Sequence, residues 1–352
     1  MDILLIGEKN SKRTIFFEKA AQELSVDFRF VSYADSFEVF EATSKNHTEP
    51  IFANCAIKLD PPSSHGVFID EINSFRREYS SFLSKIATAK TAKFLNSPQA
   101  IMAVLDKLEC KRVLEAAKLR TADFFDNIAD FSALKMLMSE KRLNSVFIKP
   151  RYGSGAAGIM AYRRAGKNEV AYTTIVCSSN FRKPSSHDSR ELPLEGRLCN
   201  SKRTRRITSP NEIESIINAL LKTDALVEKW IPKASINGNP YDIRVVWQFG
   251  KIEYAVARLA KGSISNLHLG GSVMDINELR LSSHTLYEIE NLCSKAMQLF
   301  PELQSAGIDI LLESSTLNPY IIEINGQGDL LYADIYDKNK IYKSQLMYLK
   351  NL

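Results

Sequence analysis

The chain is poor in the features that mark several large classes of protein. It has five cysteines in 352 residues, Cys55, Cys110, Cys177, Cys199 and Cys293. They are odd in number and no two lie at a short metal-type spacing, which excludes a disulfide framework or a structural zinc and makes a reducing compartment the expectation. No apolar run approaches the roughly 18 residues of a membrane-spanning helix. The opening MDILLIGEKN has no basic stretch leading into a long apolar segment, so neither a membrane nor a signal peptide is expected and the reading is cytoplasmic. Internal repeats and long low-complexity tracts are absent. So are G-x-G-x-x-G after the first strand, the P-loop pattern G-x-x-x-x-G-K-[ST], and any Ser-His-Asp or Cys-His arrangement, so the sequence offers no covalent nucleophile.

What remains is an ordinary soluble composition, 45% hydrophobic and 25% charged, and length for two or three packed units. Asp2–Ile6, a helix over Lys12–Leu24 and a strand over Asp27–Ser32 give a β-α-β opening, which predicts a small parallel α/β domain. Gly7 reads as a turn residue. Gly66–Ile69 reads as a strand and Phe75–Ala92 as a helix. Asn96-Ser97-Pro98 starts the next helix, Ser97 as N-cap and Pro98 at the first helical position, with Gln99–Ala117 read as one helix. Further on come strands at Ala122–Phe125, Asn144–Pro150, Met160–Arg163, Ala225–Ile231, Tyr241–Gln248 and Ile252–Leu259. Helices are expected at Ser132–Glu140, Asn211–Leu221, His284–Phe300 and Lys338–Leu352.

Three stretches carry chemistry. The first is Gly307–Asn325, GIDILLESSTLNPYIIEIN, two short strands around a polar turn. Glu323 and Asn325 share a face by the two-residue period, and Asp309 can join them from the neighbouring strand. Three converging oxygen side chains suit a hard cation such as Mg²⁺; a hairpin with its polar face in solvent is the alternative. The second is RYGSGAAGI after Lys149. Gly153, Ser154, Gly155 and Gly158 form a loop of small residues that could bring backbone N–H groups to phosphate oxygens, or could be only a hairpin tip. The third is 178–210, which holds eight of the chain's Lys and Arg against three acids. It reads as an extended loop over the site, either solvated or in contact with an acidic or phosphorylated substrate. Aromatic residues are nearly absent from it, which argues against nucleic acid. Asp242 and Arg244 share one face of YDIRVVWQ, with Ile243, Val245 and Trp247 on the other.

In this order, Lys107, Lys149 with its small-residue loop, EKWI, DIR, SNLHLGG and Asp309/Glu323/Asn325 resemble the ATP-grasp superfamily over about residues 97 to 335. AGIDIL…IIEIN and SNLHLGG look most like the ribosomal-protein glutamate ligases. The whole chain is closer still to an uncharacterised bacterial ATP-grasp family. The resemblance implies an N-terminal α/β domain (1–97) of the kind that precedes ATP-grasp. Two α+β subdomains with antiparallel sheets would follow, 98–222 with the basic segment and 223–352 with the metal site. It implies Lys107, Lys149 and the 153–158 loop on ATP phosphates, and Glu228, Lys229 and Ile231 at the adenine hinge. Asp242 would bind the ribose, Arg244, Arg258 and Asn266 would face the γ-phosphate and acyl substrate, and Asp309, Glu323 and Asn325 would hold Mg²⁺, or Mn²⁺ in its place. His268 is read as a structural or substrate contact. The implied reaction joins a carboxylate, small or peptidic, to an amine through an acyl phosphate. Phosphorylation of a hydroxyl on an anionic acceptor and nucleotide binding without turnover are the alternatives. Where related ligases follow the last Asn with a small residue, Ser/Thr-Pro-Gly, this chain reads Gly326-Gln327-Gly328-Asp329, which puts the acceptor side in question.

Overall fold

The protein is described here by a computed structural model. It describes residues 1–33, 35–36, 52–62, 68–153, 157–166, 168–177, 197–260, 262, 264, 271–327 and 339–352. Three sheets organise these residues.

The first sheet is parallel, in the order β2 (Arg29–Ser32), β1 (Asp2–Gly7), β3 (Cys55–Leu59), β4 (Lys93–Phe94). β1 is apolar and buried from Ile3 onward, as expected of a strand covered on both faces. Helix α1 (Lys12–Leu24) begins where the Ser11 side chain accepts from the Thr14 amide and ends at Ser25 in the left-handed conformation. A second cover comes from the far end of the chain. Helix α8 (Lys340–Lys350) buries Tyr342, Leu346 and Leu349 against Ile3, Leu5, Phe17 and Ala20. The C-terminus thus completes the N-terminal unit, a long-range closure that local patterning does not reveal.

The second sheet is antiparallel, ordered β5 (Phe124–Phe125), β10 (Leu226–Lys229), β6 (Ser145–Lys149), β7 (Met160–Ala165), β8 (Asn168–Cys177), β9 (Leu198–Ile207). Helices α5 (Phe131–Glu140) and α6 (Pro210–Leu221) cover one face with Phe131, Leu134, Met138, Ile213, Ile217 and Leu220 packed on Val146, Ile148 and Val227. Phe147, Lys149 and Glu228 therefore face the other way. The third sheet runs β14 (Ser272–Asp275), β13 (Lys251–Leu259), β12 (Asn239–Gln248), β15 (Ser305–Leu312), β16 (Pro319–Asn325), with β11 (Ser235–Ile236) beside β12. Helix α7 (Ser283–Gln298) packs Ile289, Leu292, Cys293 and Ala296 into the core that holds Ile243, Val245, Ile308 and Ile324. A parallel α/β unit followed by two antiparallel α+β units is the expected fold class. Among the described residues, no helix is long and apolar enough to cross a membrane.

The structure departs from the sequence reading in several places. Gln99–Ala117 is two helices, α3 (Pro98–Leu105) and α4 (Lys107–Ala116), because Asp106 leaves the helical region (φ −84°, ψ 98°) and caps the second. The expected strand Gly66–Ile69 lies partly outside the described residues. Phe68 makes only an isolated bridge to Cys199, and Ile69–Glu71 is a 3₁₀ turn leading into α2 (Ile72–Ile86). The basic stretch is not all loop: Leu198–Ile207 is the edge strand β9, while 178–196 lies outside the described residues. An edge strand needs no apolar alternation, and basic side chains suit the unpaired edge. The strand β3 sits within a stretch that carried no strand reading, because Lys58 interrupts its apolar run. Sheet membership also crosses the expected 222/223 division, since Leu226–Lys229 belongs to the second sheet.

Truncating Leu346, fully buried on α8, should destabilise the protein by about 2–5 kcal/mol. Chemical denaturation of Leu346→Ala should show this as a lower midpoint, and an unchanged midpoint would contradict the docking of α8.

Candidate active site

The site is built from α4 outward. Asp106 is 5% exposed and accepts the Leu108 and Glu109 amides at 3.2 and 3.3 Å, which caps α4. The same carboxylate takes a two-pronged bond from Arg151, Nε and Nη2 both at 2.7 Å, and one from the Tyr152 hydroxyl at 2.8 Å. Arg76 stacks over the Tyr152 ring at 3.5 Å. Burial raises the Asp106 pKa, but Arg151, Tyr152 and the Glu109 amide outweigh it and hold the carboxyl below the usual aspartate range. The start of α4 is thereby tied to the root of the small-residue loop, and the Lys107 amide adds a bond to the Arg151 carbonyl at 3.2 Å.

Lys107 and Lys111 lie four residues apart, on one face of α4. Lys107 Nζ donates to the Gly153 carbonyl at 2.5 Å and stands 3.3 Å from Glu323 Oε1. One side chain thus joins the loop to the β16 carboxylate. Lys111, 3% exposed, stands 3.4 Å from Glu228 Oε1 and donates to Thr121 Oγ1 at 2.7 Å. Thr121 in turn donates to the Ile321 carbonyl of β16 at 3.0 Å. Lys149 meets the same Glu228 from β6, Nζ to Oε2 at 2.6 Å. Burial pushes the Glu228 carboxyl up, but Lys111 and Lys149 together hold it below the usual glutamate range. Glu228 Oε1 is buried and makes no hydrogen bond among the described residues.

The third sheet supplies a second charge network through its register. Arg244 on β12 is opposite Asp309 on β15, and Asp309 is opposite Glu323 on β16. In the adjacent row Asp242 is opposite Arg258. Arg244 donates Nε and Nη2 to Asp309 at 2.6 and 3.2 Å. Arg258 bonds Asp242 at 2.6 Å and stands 3.1 Å from Asp309, and Lys233 donates to Asp242 at 3.1 Å. Burial works against the Arg258 charge, but Asp309 and Asp242 reverse this and raise its pKa above the ordinary arginine value.

Lys107 and Lys111 of α4 thus link Lys149 and Glu228 on the second sheet to the Arg244, Arg258, Asp309 and Glu323 network on the third. Asn325 lies two residues beyond Glu323, opposite Gly307. Gly153 and Gly158 have positive φ of 113° and 72°. A Cβ at Gly158 would come within 2.7 Å of Pro150 Cγ, so that turn accepts no larger residue without a shift. Ser154, Gly155 and Asn266 lie outside the described residues, as does His268. At the expected hinge, the Lys229 amide donates to the Asp123 carbonyl at 2.8 Å and its side chain turns outward to Asp123 at 3.3 Å; Ile231 is buried. Asp242 has both oxygens on cations inside the network, where it supports Arg258 and Lys233. In the basic stretch, Arg197 is bound to Asp70 and Glu71, and Arg205 to the Ile175 carbonyl and Glu212. These two arginines belong to the scaffold.

Sequence reading missed Lys111, Asp106, Arg151 and Lys233. The spacing Lys107/Lys111 is the one local signal that could have found the first. The rest depend on contacts between distant segments.

The donor set fits a hard cation in kind. Asp309 and Glu323 face each other across neighbouring strands and Asn325 adds an amide oxygen. Among the described residues no cluster of three or more His, Cys, Asp or Glu comes together. Two carboxylates with open positions suit Mg²⁺ better than a closed protein cage.

Comparison with known proteins agrees with this architecture. No curated protein gives a significant match. Among solved structures, the D-cycloserine synthetase DcsG is 10% identical with TM-score 0.62, covering 99% of each chain. The macrocyclase MdnC from Microcystis aeruginosa MRC, bound with precursor peptide MdnA, is 14% identical with TM-score 0.60, covering 100% of each. The ATP-grasp ligase PsnB, complexed with minimal precursor, Mg and ADP, is 14% identical with TM-score 0.57, covering 99% of this chain and 98% of PsnB. Identities this low speak to the fold alone.

Asp106→Ala should destabilise the protein by about 1–3 kcal/mol, because α4 loses its cap and Arg151 and Tyr152 lose a shared acceptor. The folded-state pKa of Asp106 lies below its unfolded value, so its contribution is present above about pH 4 and fades as pH falls below that. In Asp106→Asn the loss of thermal stability toward acid pH should be shallower than in the wild type; parallel acid limbs would contradict the charged bond.

The YheC/D-like ATP-grasp family matches residues 102–352, and the chain belongs to that family.

Proposed function

We propose that the protein is an ATP- and Mg²⁺-dependent ligase joining a carboxylate to an amine. The observation that carries this reading is Lys107. It bridges the small-residue loop at Gly153 and the Glu323 carboxylate, between two antiparallel sheets that each present charge to the cleft. Lys149 and the loop at 153–158 would take ATP phosphates, and the unsatisfied Glu228 Oε1 would accept from the purine amino group. PsnB was solved with Mg and ADP, which supports the choice of these two cofactors. Asp309, Glu323 and Asn325 would hold Mg²⁺, which when bound offsets charge on the transferring phosphoryl group.

A carboxylate is a poor electrophile. Attack of its oxygen on the γ-phosphorus, with ADP leaving, gives an acyl phosphate. The amine then attacks the carbonyl carbon, phosphate leaves, and the amine proton is lost. Arg244 and Arg258 are charged and converge on Asp309, where they could steady the phosphoryl oxygens. PsnB and MdnC were solved with precursor peptides, which favours a peptide as one substrate here, with ribosomal-protein glutamate ligation a related alternative. None of the five cysteines, all among the described residues, is in a disulfide, which suits the cytoplasmic setting we propose.

ADP and phosphate should form only when the correct acid and amine are both present. Lys149→Ala and Glu323→Ala should each lower turnover by about 10³-fold or more, if each supplies a few kcal/mol of transition-state stabilisation. Wild-type turnover in either variant contradicts the assignment. Product mass decides the reaction class: a ligase product is acid plus amine less water, whereas a product heavier by one phosphoryl group means a kinase.

A further inference from the structure

Two ammonium groups share one buried carboxylate, and they differ in what else holds them. Glu228 is 4% exposed. Lys149, whose side chain is 12% exposed, reaches it from β6 at 2.6 Å. Lys111, whose side chain is 4% exposed, reaches it from α4 at 3.4 Å and is also held at 2.7 Å by Thr121. Thr121 is anchored to the Ile321 carbonyl. Lys111 therefore cannot leave without breaking a chain of bonds that runs into β16, whereas among the described residues Glu228 is the one carboxylate that pairs with Lys149. A buried carboxylate tolerates the loss of one counter-ion if another remains, but becomes strongly unfavourable as an anion when none does.

We infer that Lys111 is a positioning residue that keeps Glu228 ionised while Lys149 moves from Glu228 onto the nucleotide phosphates. The inference rests on the nucleotide reading above and deepens it. Before nucleotide binds, Glu228 has two cations. With the polyphosphate in place, Lys149 pairs with phosphate, Lys111 stays, and every buried charge still has one partner. The purine amino group can then approach a charged acceptor, the stronger of the two forms. Around Glu228 the facing groups are Lys111 and Thr121 from the α4 side, Lys149 and Phe147 on β6, and Phe124 on β5. The neighbouring Cys110 thiol, pushed up to about 12 by burial, stays neutral.

The sign of the test follows. With Lys111 replaced by the neutral, similarly shaped Met, Lys149 alone serves Glu228, so the free protein keeps an ion pair. Drawing Lys149 away then leaves Glu228 buried without a cation. Its pKa rises, and it takes up a proton as nucleotide binds. The measurement is calorimetric titration with a non-hydrolysable ATP analogue and Mg²⁺, in buffers of different ionisation enthalpy between pH 6 and 9. Lys111→Met should bind with close to one more proton taken up than the wild type. Its affinity should fall by about tenfold for each pH unit between the pKa of Glu228 in the free variant and its raised value in the complex, level off above that, and recover toward the wild-type value at low pH. If Lys111→Met does not fold, Lys111→Met/Glu228→Gln, which removes the unbalanced charge, is compared with Glu228→Gln alone. The two should take up equal numbers of protons and bind the analogue alike.

Equal proton uptake by the wild type and Lys111→Met overturns the inference. So does a loss of affinity from Lys111→Met that is as large in the Glu228→Gln background as in the wild type, because Lys111 would then act on the ligand or the fold directly. A wild-type protein that binds no nucleotide removes the underlying reading before any variant is made.

Discussion

The break in the chain at Asp106 fixes the rest of the site. A continuous helix from Ser97 to Ala117 would rotate Lys107 and Lys111 to different bearings. The extended backbone at Asp106 instead starts a new helix there, and the carboxylate that caps it also grips Arg151. Because Arg151 leads directly from Lys149 into the small-residue loop, one buried aspartate aligns three things: the helix with two inward lysines, the end of β6, and the root of the loop. Each bond is of ordinary strength. Their convergence on one low-dielectric point makes the arrangement stiff, since none can be lost without exposing or orphaning a charge.

From that alignment the cleft follows a single rule: every buried charge has an opposite partner across an element boundary. Glu228 of the second sheet is met from α4 and β6. Asp309 of the third sheet is met by Arg244 from the adjacent strand and Arg258 from the strand beyond it, and Glu323 by Lys107 from α4. On the proposed reading such partners are exchanged when an anionic polyphosphate and a cation enter together. A site that exchanges ion pairs for ion pairs avoids the cost of leaving a carboxylate dry and unpaired. The N-terminal unit joins this frame through Asn96, which binds the Ser305 and Gly326 carbonyls, and through Gln327, which donates to the Leu59 carbonyl and to Tyr79. Gly326, close to Val104 and Leu303, and Gln327 are therefore held against the parallel domain.

Much of this was legible in the sequence where the signal is local. Alternation in YDIRVVWQ and in the Asp309–Asn325 hairpin gave the correct faces, and Ser97-Pro98 gave the helix start with its cap. The glycines of the loop marked a turn that Gly153 and Gly158 do make. What stayed hidden is non-local. Asp106 reads as one more polar residue on a helix until Arg151 is known to be beside it. Lys111 reads as a solvated lysine until Glu228 and Thr121 enclose it. β9 carries no apolar period because it is an edge, and α8 returns to a sheet made of the first sixty residues. Asp242 was legible in its face but not in its partners, since the cations that meet its two oxygens come from other segments.

The central claim is that the cleft between the two antiparallel sheets holds a metal–nucleotide pair with the metal on the β15–β16 carboxylates. The most direct measurement is a crystal structure with ADP and Mn²⁺ in place of Mg²⁺, read by the anomalous scattering of manganese. The account predicts an anomalous peak between Asp309 and Glu323, with phosphates directed at Lys107 and Lys149 and the purine beside Glu228. A nucleotide bound elsewhere, or manganese absent from these two carboxylates while ADP occupies the cleft, would contradict it.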